Sequence, residues 1–202
     1  MRKTICIFTF LMCTFCLHAQ KDFGFGVYAG GNISRNFTEE VDGFSTSVSF
    51  KGCLQGGAFF YAKTSDKTQL HVSLGLVEKG CTSKSSFSGG GISFSSESNV
   101  SRLYFQLGTT ERFYIAHRFF IDAGVYMAIG WKSRSNSNDL LLDNYERDKS
   151  EKRFDLGPML GFGYDIGKHF AIVADVSLSA LSIHPTMADR NFSVATSFEY
   201  KF

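Results

Sequence analysis

The chain has 202 residues, 44% of them hydrophobic and 15% aromatic, with 21 Lys and Arg against 19 Asp and Glu. That length fits one domain, and the near-neutral balance lacks the basic footprint of a nucleic-acid-binding protein. Beyond the first residues no stretch reaches the roughly 18 continuous apolar residues of a membrane helix. If the chain crosses a membrane it must therefore do so as a closed sheet, because lipid leaves no open strand edge satisfied.

Arg2 and Lys3 precede an apolar run at 5–17 interrupted only by two threonines, and Leu17-His18-Ala19 ends on a small residue. This reads as a secretory signal peptide over residues 1–19, too short for a membrane span. Those residues carry two of the 21 basic residues and no acid, so 183 residues remain with 19 of each sign. Three of the five cysteines leave with them. Cys53 and Cys81 stay as an even pair in an exported, oxidising setting.

From there the chain reads as strands, since side chains of a strand alternate between two faces. In the first, 22–33, Phe23, Phe25, Val27 and Ala29 alternate with Gly24, Gly26, Tyr28 and Gly30. A polar stretch to about Lys51 follows. The second strand, about 52–63, sets Leu54, Ala58, Phe60 and Ala62 on one face, and a short turn at 64–68 leads to the third with Leu70, Val72, Leu74 and Leu76. Residues 83–99 are rich in Ser and Gly around Gly89-Gly90-Gly91, and read as a hairpin protruding beyond the membrane. The fourth strand, about 100–115, has Glu111 on its apolar face, which implies a bulge or a place below the apolar band. After a turn at 116–118 the fifth alternates cleanly from Phe119 to Trp131, and a charged loop fills 132–152. The sixth strand, 154–166, contains Pro158, which cannot donate to a ladder. A turn at Gly167-Lys168 joins it to the seventh, 170–178, and 184–190 leads to the eighth. There Phe192, Val194, Thr196, Phe198, Tyr200 and Phe202 share a face.

Eight strands whose connections alternate long and short predict an all-β fold, an eight-stranded antiparallel up-and-down transmembrane barrel over residues 20–202. With the N-terminus periplasmic, every long connection falls outside. The face opposite the apolar one is mostly Gly, Ser and Ala with some Tyr and a few charges. Small residues suit a crowded eight-stranded interior, whereas a soluble barrel would show Lys, Glu and Thr to water.

The mature chain resembles the outer-membrane β-barrel domain family of Bacteroidota, the group that includes PorT-like proteins. The resemblance lies in F-G-V-Y-A-G-G-N-I-S, G-G-A-F-F-Y-A-K-T-S-D-K followed by V-E-K-G, F-F-I-D-A-G-V-Y-M-A-I-G-W, F-D-L-G-P-M-L-G-F-G-Y-D-I-G-K and the final E-Y-K-F. It implies the outer membrane of a Gram-negative bacterium, contact with its lipid, and the barrel-assembly machinery as a partner during insertion. In such barrels the terminal strand closes the sheet, and its aromatics, here Phe198, Tyr200 and Phe202, form the insertion signal. The family carries no catalytic motif to transfer.

Inward parity collects Arg102, Arg112, Asp122, Asp155, Asp165, Asp175, Glu199 and Lys201. These read as ion pairs filling a narrow interior rather than as a proton path or filter. A turn centred on His117 places Arg112 opposite Asp122. At an effective dielectric near 20 a contact of about 4 Å attracts by roughly 4 kcal/mol before desolvation. A turn centred on Lys67 likewise places Cys53 opposite Cys81, where a disulfide would contribute about 2–4 kcal/mol. His184 with Ser182 and Asp189, and the acidic run 139–151, read as ordinary loop composition. No cofactor, metal or catalytic residue is expected, and no nucleic acid as partner. The expected role is structural or surface interaction with a protein partner through the long loops. A narrow channel or secretion accessory, and a lipid-modifying hydrolase, are the alternatives.

Overall fold

Eight strands, all antiparallel to their neighbours, close on themselves in chain order. They are β1 (Phe23–Phe37), β2 (Ser45–Lys63), β3 (Thr68–Gly89), β4 (Ile92–Tyr114), β5 (Phe119–Ser137), β6 (Phe154–Ile166), β7 (Phe170–Leu178) and β8 (Arg190–Lys201). This computed structural model describes residues 23–37, 45–89, 92–137, 154–181 and 190–202. The expected signal peptide, the run 139–151 and the trio Ser182, His184 and Asp189 lie outside the described residues. Closure runs from Gly26↔Lys201 to Phe37↔Arg190, and the Phe202 N–H donates to the Phe25 carbonyl at 3.0 Å. The β6–β7 turn uses Gly167 at φ +78°, a conformation that side chains with a Cβ rarely adopt.

The strands are not equally long. β1 pairs with β2 only as far as Ser34↔Lys51, and β5 with β6 only as far as Ile129↔Phe154. Beyond those points β2, β3, β4 and β5 stay paired with one another, up to Ser45↔Ser86, Gly89↔Ile92 and Ser98↔Ser137. A four-stranded sheet thus rises from one side of the barrel at the long-loop end. Its two edges, residues 45–50 and 130–137, pair with no further strand among the described residues. The expected hairpin at 83–99 is the centre of this sheet.

Two bulges adjust the register. In β2, residues 51–54 face only 78–80 of β3, and in β5 the extra residue between the Leu103↔Lys132 and Tyr104↔Gly130 pairs is Trp131. An extra residue kinks a strand and leaves itself unpaired. The β2–β3 turn centres on Asp66, with Lys63 opposite Gln69. This corrects the register expected around Lys67. Cys81 faces Phe50 instead of Cys53, Cys53 faces Asn32 of β1, and the two buried cysteines are not joined by a disulfide. Glu111 needs no bulge: the β3–β4 register is continuous, and the carboxylate sits beside the short β2–β3 turn, where it accepts a hydrogen bond from Thr64. Pro158 lies one residue past the end of the β6–β7 ladder, which starts at Met159↔Ser177.

The apolar face points outward. Phe23, Leu54, Phe162 and Phe202 are among many large apolar side chains more than three-fifths exposed. At the short-turn end outward rings gather into a belt. Phe25 meets Phe60 (centroids 5.3 Å apart), Phe119 meets Tyr164 (4.7 Å), Phe170 meets Tyr200 (5.0 Å) and Tyr200 meets Phe202 (5.5 Å). Apolar bands bounded by aromatic belts are what a hydrocarbon slab selects.

Candidate functional site

Inside, large rings lie on glycines of the facing strand. Phe59 covers Gly26, its partner in the β1–β2 register, Phe120 covers Gly163 across β5–β6, and Tyr61 covers Gly24. A Cβ at Gly26 or Gly163 would fall inside the covering ring. These glycines are seats for the facing rings, and they let a narrow barrel hold large side chains.

Among the described residues three ionic clusters stand out in the interior. Nearest the short turns, the Lys201 ammonium lies 2.9 Å from Asp165, which also accepts from Tyr114 at 3.1 Å. In the middle Arg112 is fully buried between two carboxylates. Its Nε and Nη2 donate to Asp122 at 2.9 Å each, and its Nη1 and Nη2 to Glu199 at 3.0 Å each. The guanidinium carbon lies 3.7 Å from the Phe120 ring centroid, so the ring seated on Gly163 also packs the cation. His71 completes this cluster, stacked on Phe59 with Nε2 3.4 Å from Glu199 Oε1. Towards the long-loop end Lys79 reaches Asp155 at 3.1 Å, and Asp155 also accepts from Tyr126 and Asn191 at 3.2 Å. The Lys79 ammonium stands 4.1 Å from the Tyr126 ring centroid.

The structure brings Arg112 and Asp122 together as directly opposite residues of β4 and β5. It does not join Cys53 to Cys81, and the Cys53 sulfur lies 3.8 Å from the Ser34 hydroxyl. Phe198, Tyr200 and Phe202 point outward at the closing seam. Lys79 is the residue that sequence reading missed. Extending the inward parity of β3 two residues past Val77 reaches it. Glu199 as a second partner of Arg112 is 87 residues distant, beyond any turn arithmetic.

Bidentate, desolvated pairs of this kind hold elements in register and fill space. Chemically they present no nucleophile beside a base, and among the described residues no group of three His, Cys, Asp or Glu converges to hold a metal.

The family model described as outer membrane protein beta-barrel domain matches residues 18–183. Among solved structures, neisserial surface protein A is 10% identical at a TM-score of 0.55, with 90% of this chain and 100% of that one covered. The outer membrane protein OprG from Pseudomonas aeruginosa is 13% identical at 0.51, with 89% and 96% covered. The attachment invasion locus protein of Yersinia pestis is 14% identical at 0.46, with 90% and 100% covered. At these identities the likeness to the first two concerns the fold. No curated protein matches the chain.

Proposed function

Since the chain belongs to the outer membrane protein β-barrel domain family and is an outer-membrane barrel, we propose that it is a non-catalytic surface-interaction protein whose docking element is the sheet rising from β2–β5. The observation that carries this reading is that the strand edges at 45–50 and 130–137 pair with no further strand among the described residues. An edge strand offers a row of free N–H and C=O groups, and an extended segment of a partner protein adds to it through main-chain hydrogen bonds. Lipid contacts the outward apolar face, and Phe198, Tyr200 and Phe202 serve recognition by the assembly machinery. Placement among PorT-like proteins of Bacteroidota rests on the sequence motifs alone.

The channel reading is disfavoured by how the interior is filled. Arg112, Tyr104, Tyr126, Lys79 and Phe120 are its largest fully buried side chains, and eight strands leave little more than side-chain width. The hydrolase reading would rest on His184, Ser182 and Asp189, and lipid mass spectrometry before and after gene deletion tests it.

A photo-reactive residue at Ser47 or Ser133 in intact cells is expected to give discrete protein adducts. The same residue at lipid-facing Val125 is expected to give none. Absence of adducts at both edges, together with stable unitary conductance of the pure protein in planar bilayers, would replace this reading with the channel.

A further inference from the structure

Between the Arg112 cluster and the Tyr104–Tyr126 cluster the interior opens into a cavity of about 50 Å³. A water needs about 10–15 Å³, so roughly three to five particles of that size fit. The charges around it do not balance. Asp122 and Glu199 share the guanidinium of Arg112, with the His71 ring beside Glu199, Lys79 is matched by Asp155, and Asp175 stands on the wall with no hydrogen bond or ion pair among the described residues. One further wall group is unanswered among the described residues: the amide oxygen of Gln106 is buried without a hydrogen-bond partner.

A carboxylate without a direct partner in a protein interior enclosed by lipid is costly, and water alone leaves its charge in place. We propose that the cavity holds one monovalent metal cation with two or three waters, a structural counter-ion bound by the Asp175 carboxylate and the Gln106 amide oxygen. Hydroxyls of Tyr28, Thr110 and Ser197 border the same space and are oxygen ligands of the kind that hard cations take. A divalent ion fits less well, because no three acidic or His side chains converge to chelate it among the described residues. The site lies between filled layers, so it binds without conducting.

Thermal unfolding of the folded protein in neutral detergent at pH 8 tests this in the chlorides of sodium, potassium, rubidium and N-methylglucamine at equal ionic strength. The wild type is expected to unfold several degrees higher in at least one alkali salt than in N-methylglucamine. Asp175→Asn is expected to erase that difference. Equal wild-type midpoints in all four salts would overturn the proposal in favour of a proton on the acid. So would a salt difference that survives Asp175→Asn. Should that variant not fold, wild-type crystals grown in rubidium decide. An anomalous peak in the cavity supports the site, and water density alone overturns it.

Discussion

Two cross-strand ion pairs obey the same pairing rule in two regions of the molecule. Lys84 faces Glu97 in the β3–β4 register, and Arg112 faces Asp122 in the β4–β5 register. The first lies on the sheet above the barrel at 3.2 Å, with side chains 59% and 41% exposed. The second lies within the barrel at 2.9 Å, with side chains 0% and 9% exposed. Register alone brings each pair together, but solvent decides what each is worth. In the sheet, water screens both charges and competes for both partners. In the barrel each group has lost its water and depends on the groups facing it. The sheet is thus free to vary in side chain as long as its backbone stays paired, while the interior is constrained residue by residue.

The sharpest way to break the contrast is to remove the buried cation. Arg112→Ala strands both Asp122 and Glu199, and is expected to destabilise the barrel by about 3–5 kcal/mol, the usual cost of an uncompensated buried charge. Arg112→Ala/Asp122→Ala leaves one stranded carboxylate and is expected to cost less than the single change. Adding Glu199→Ala or Glu199→Leu is expected to recover more. Urea titration of folded protein in lipid bilayers measures the series. A single variant milder than the double would show that the network is not an interdependent unit.

Glycines give the second comparison. A Cβ at Gly163 enters the Phe120 ring and also crowds the Ile172 carbonyl at 2.7 Å, whereas a Cβ at Gly52, at the base of the sheet, meets nothing within 4 Å. Gly163→Ala is expected to cost about 1–3 kcal/mol, since overpacking must move the ring off Arg112. Phe120→Leu in the same chain should recover part of that. Gly52→Ala is expected to stay within about 0.5 kcal/mol of wild type, as surface changes usually do. The same unfolding assay orders the three.

How much the sequence discloses follows the same division. Strand number, turn positions and the inward or outward sense of most barrel residues were readable because an apolar side chain facing lipid every second residue leaves a period of two. The outer reaches of β2 to β5 carried no such signal. Residues 132–137 alternate serine with Lys, Arg and Asn and are polar on both faces, and 45–50 continue a polar stretch, so both segments read as loop although they are strand. Bulges were invisible for a related reason: an extra residue in β2 leaves composition unchanged yet shifts Cys81 onto Phe50. Inside the barrel, pairing across one short turn was countable, as with Arg112 and Asp122. Pairing across the lumen was not. Glu199 and Arg112 meet only because the sheet closes, and closure sets distances that separation along the chain does not encode.

The smallest expected effect belongs to the exposed pair, and it tests the comparison from its other side. Lys84 and Glu97 gain little Coulomb energy in high dielectric and lose side-chain freedom to hold one geometry, so exposed pairs typically contribute between zero and 1 kcal/mol. Lys84→Gln, Glu97→Gln and the double variant are each expected to lie within about 0.5 kcal/mol of wild type, with a coupling energy below that and falling further in salt. The directly opposite backbones of β3 and β4 keep their ladder whichever side chains they carry, because the register runs unbroken from Thr68↔Phe113 to Gly89↔Ile92. A coupling above about 2 kcal/mol that resists 1 M salt would mean that the outer sheet shields this pair as the barrel shields Arg112. In that case the freedom argued here for the sheet's side chains would not exist.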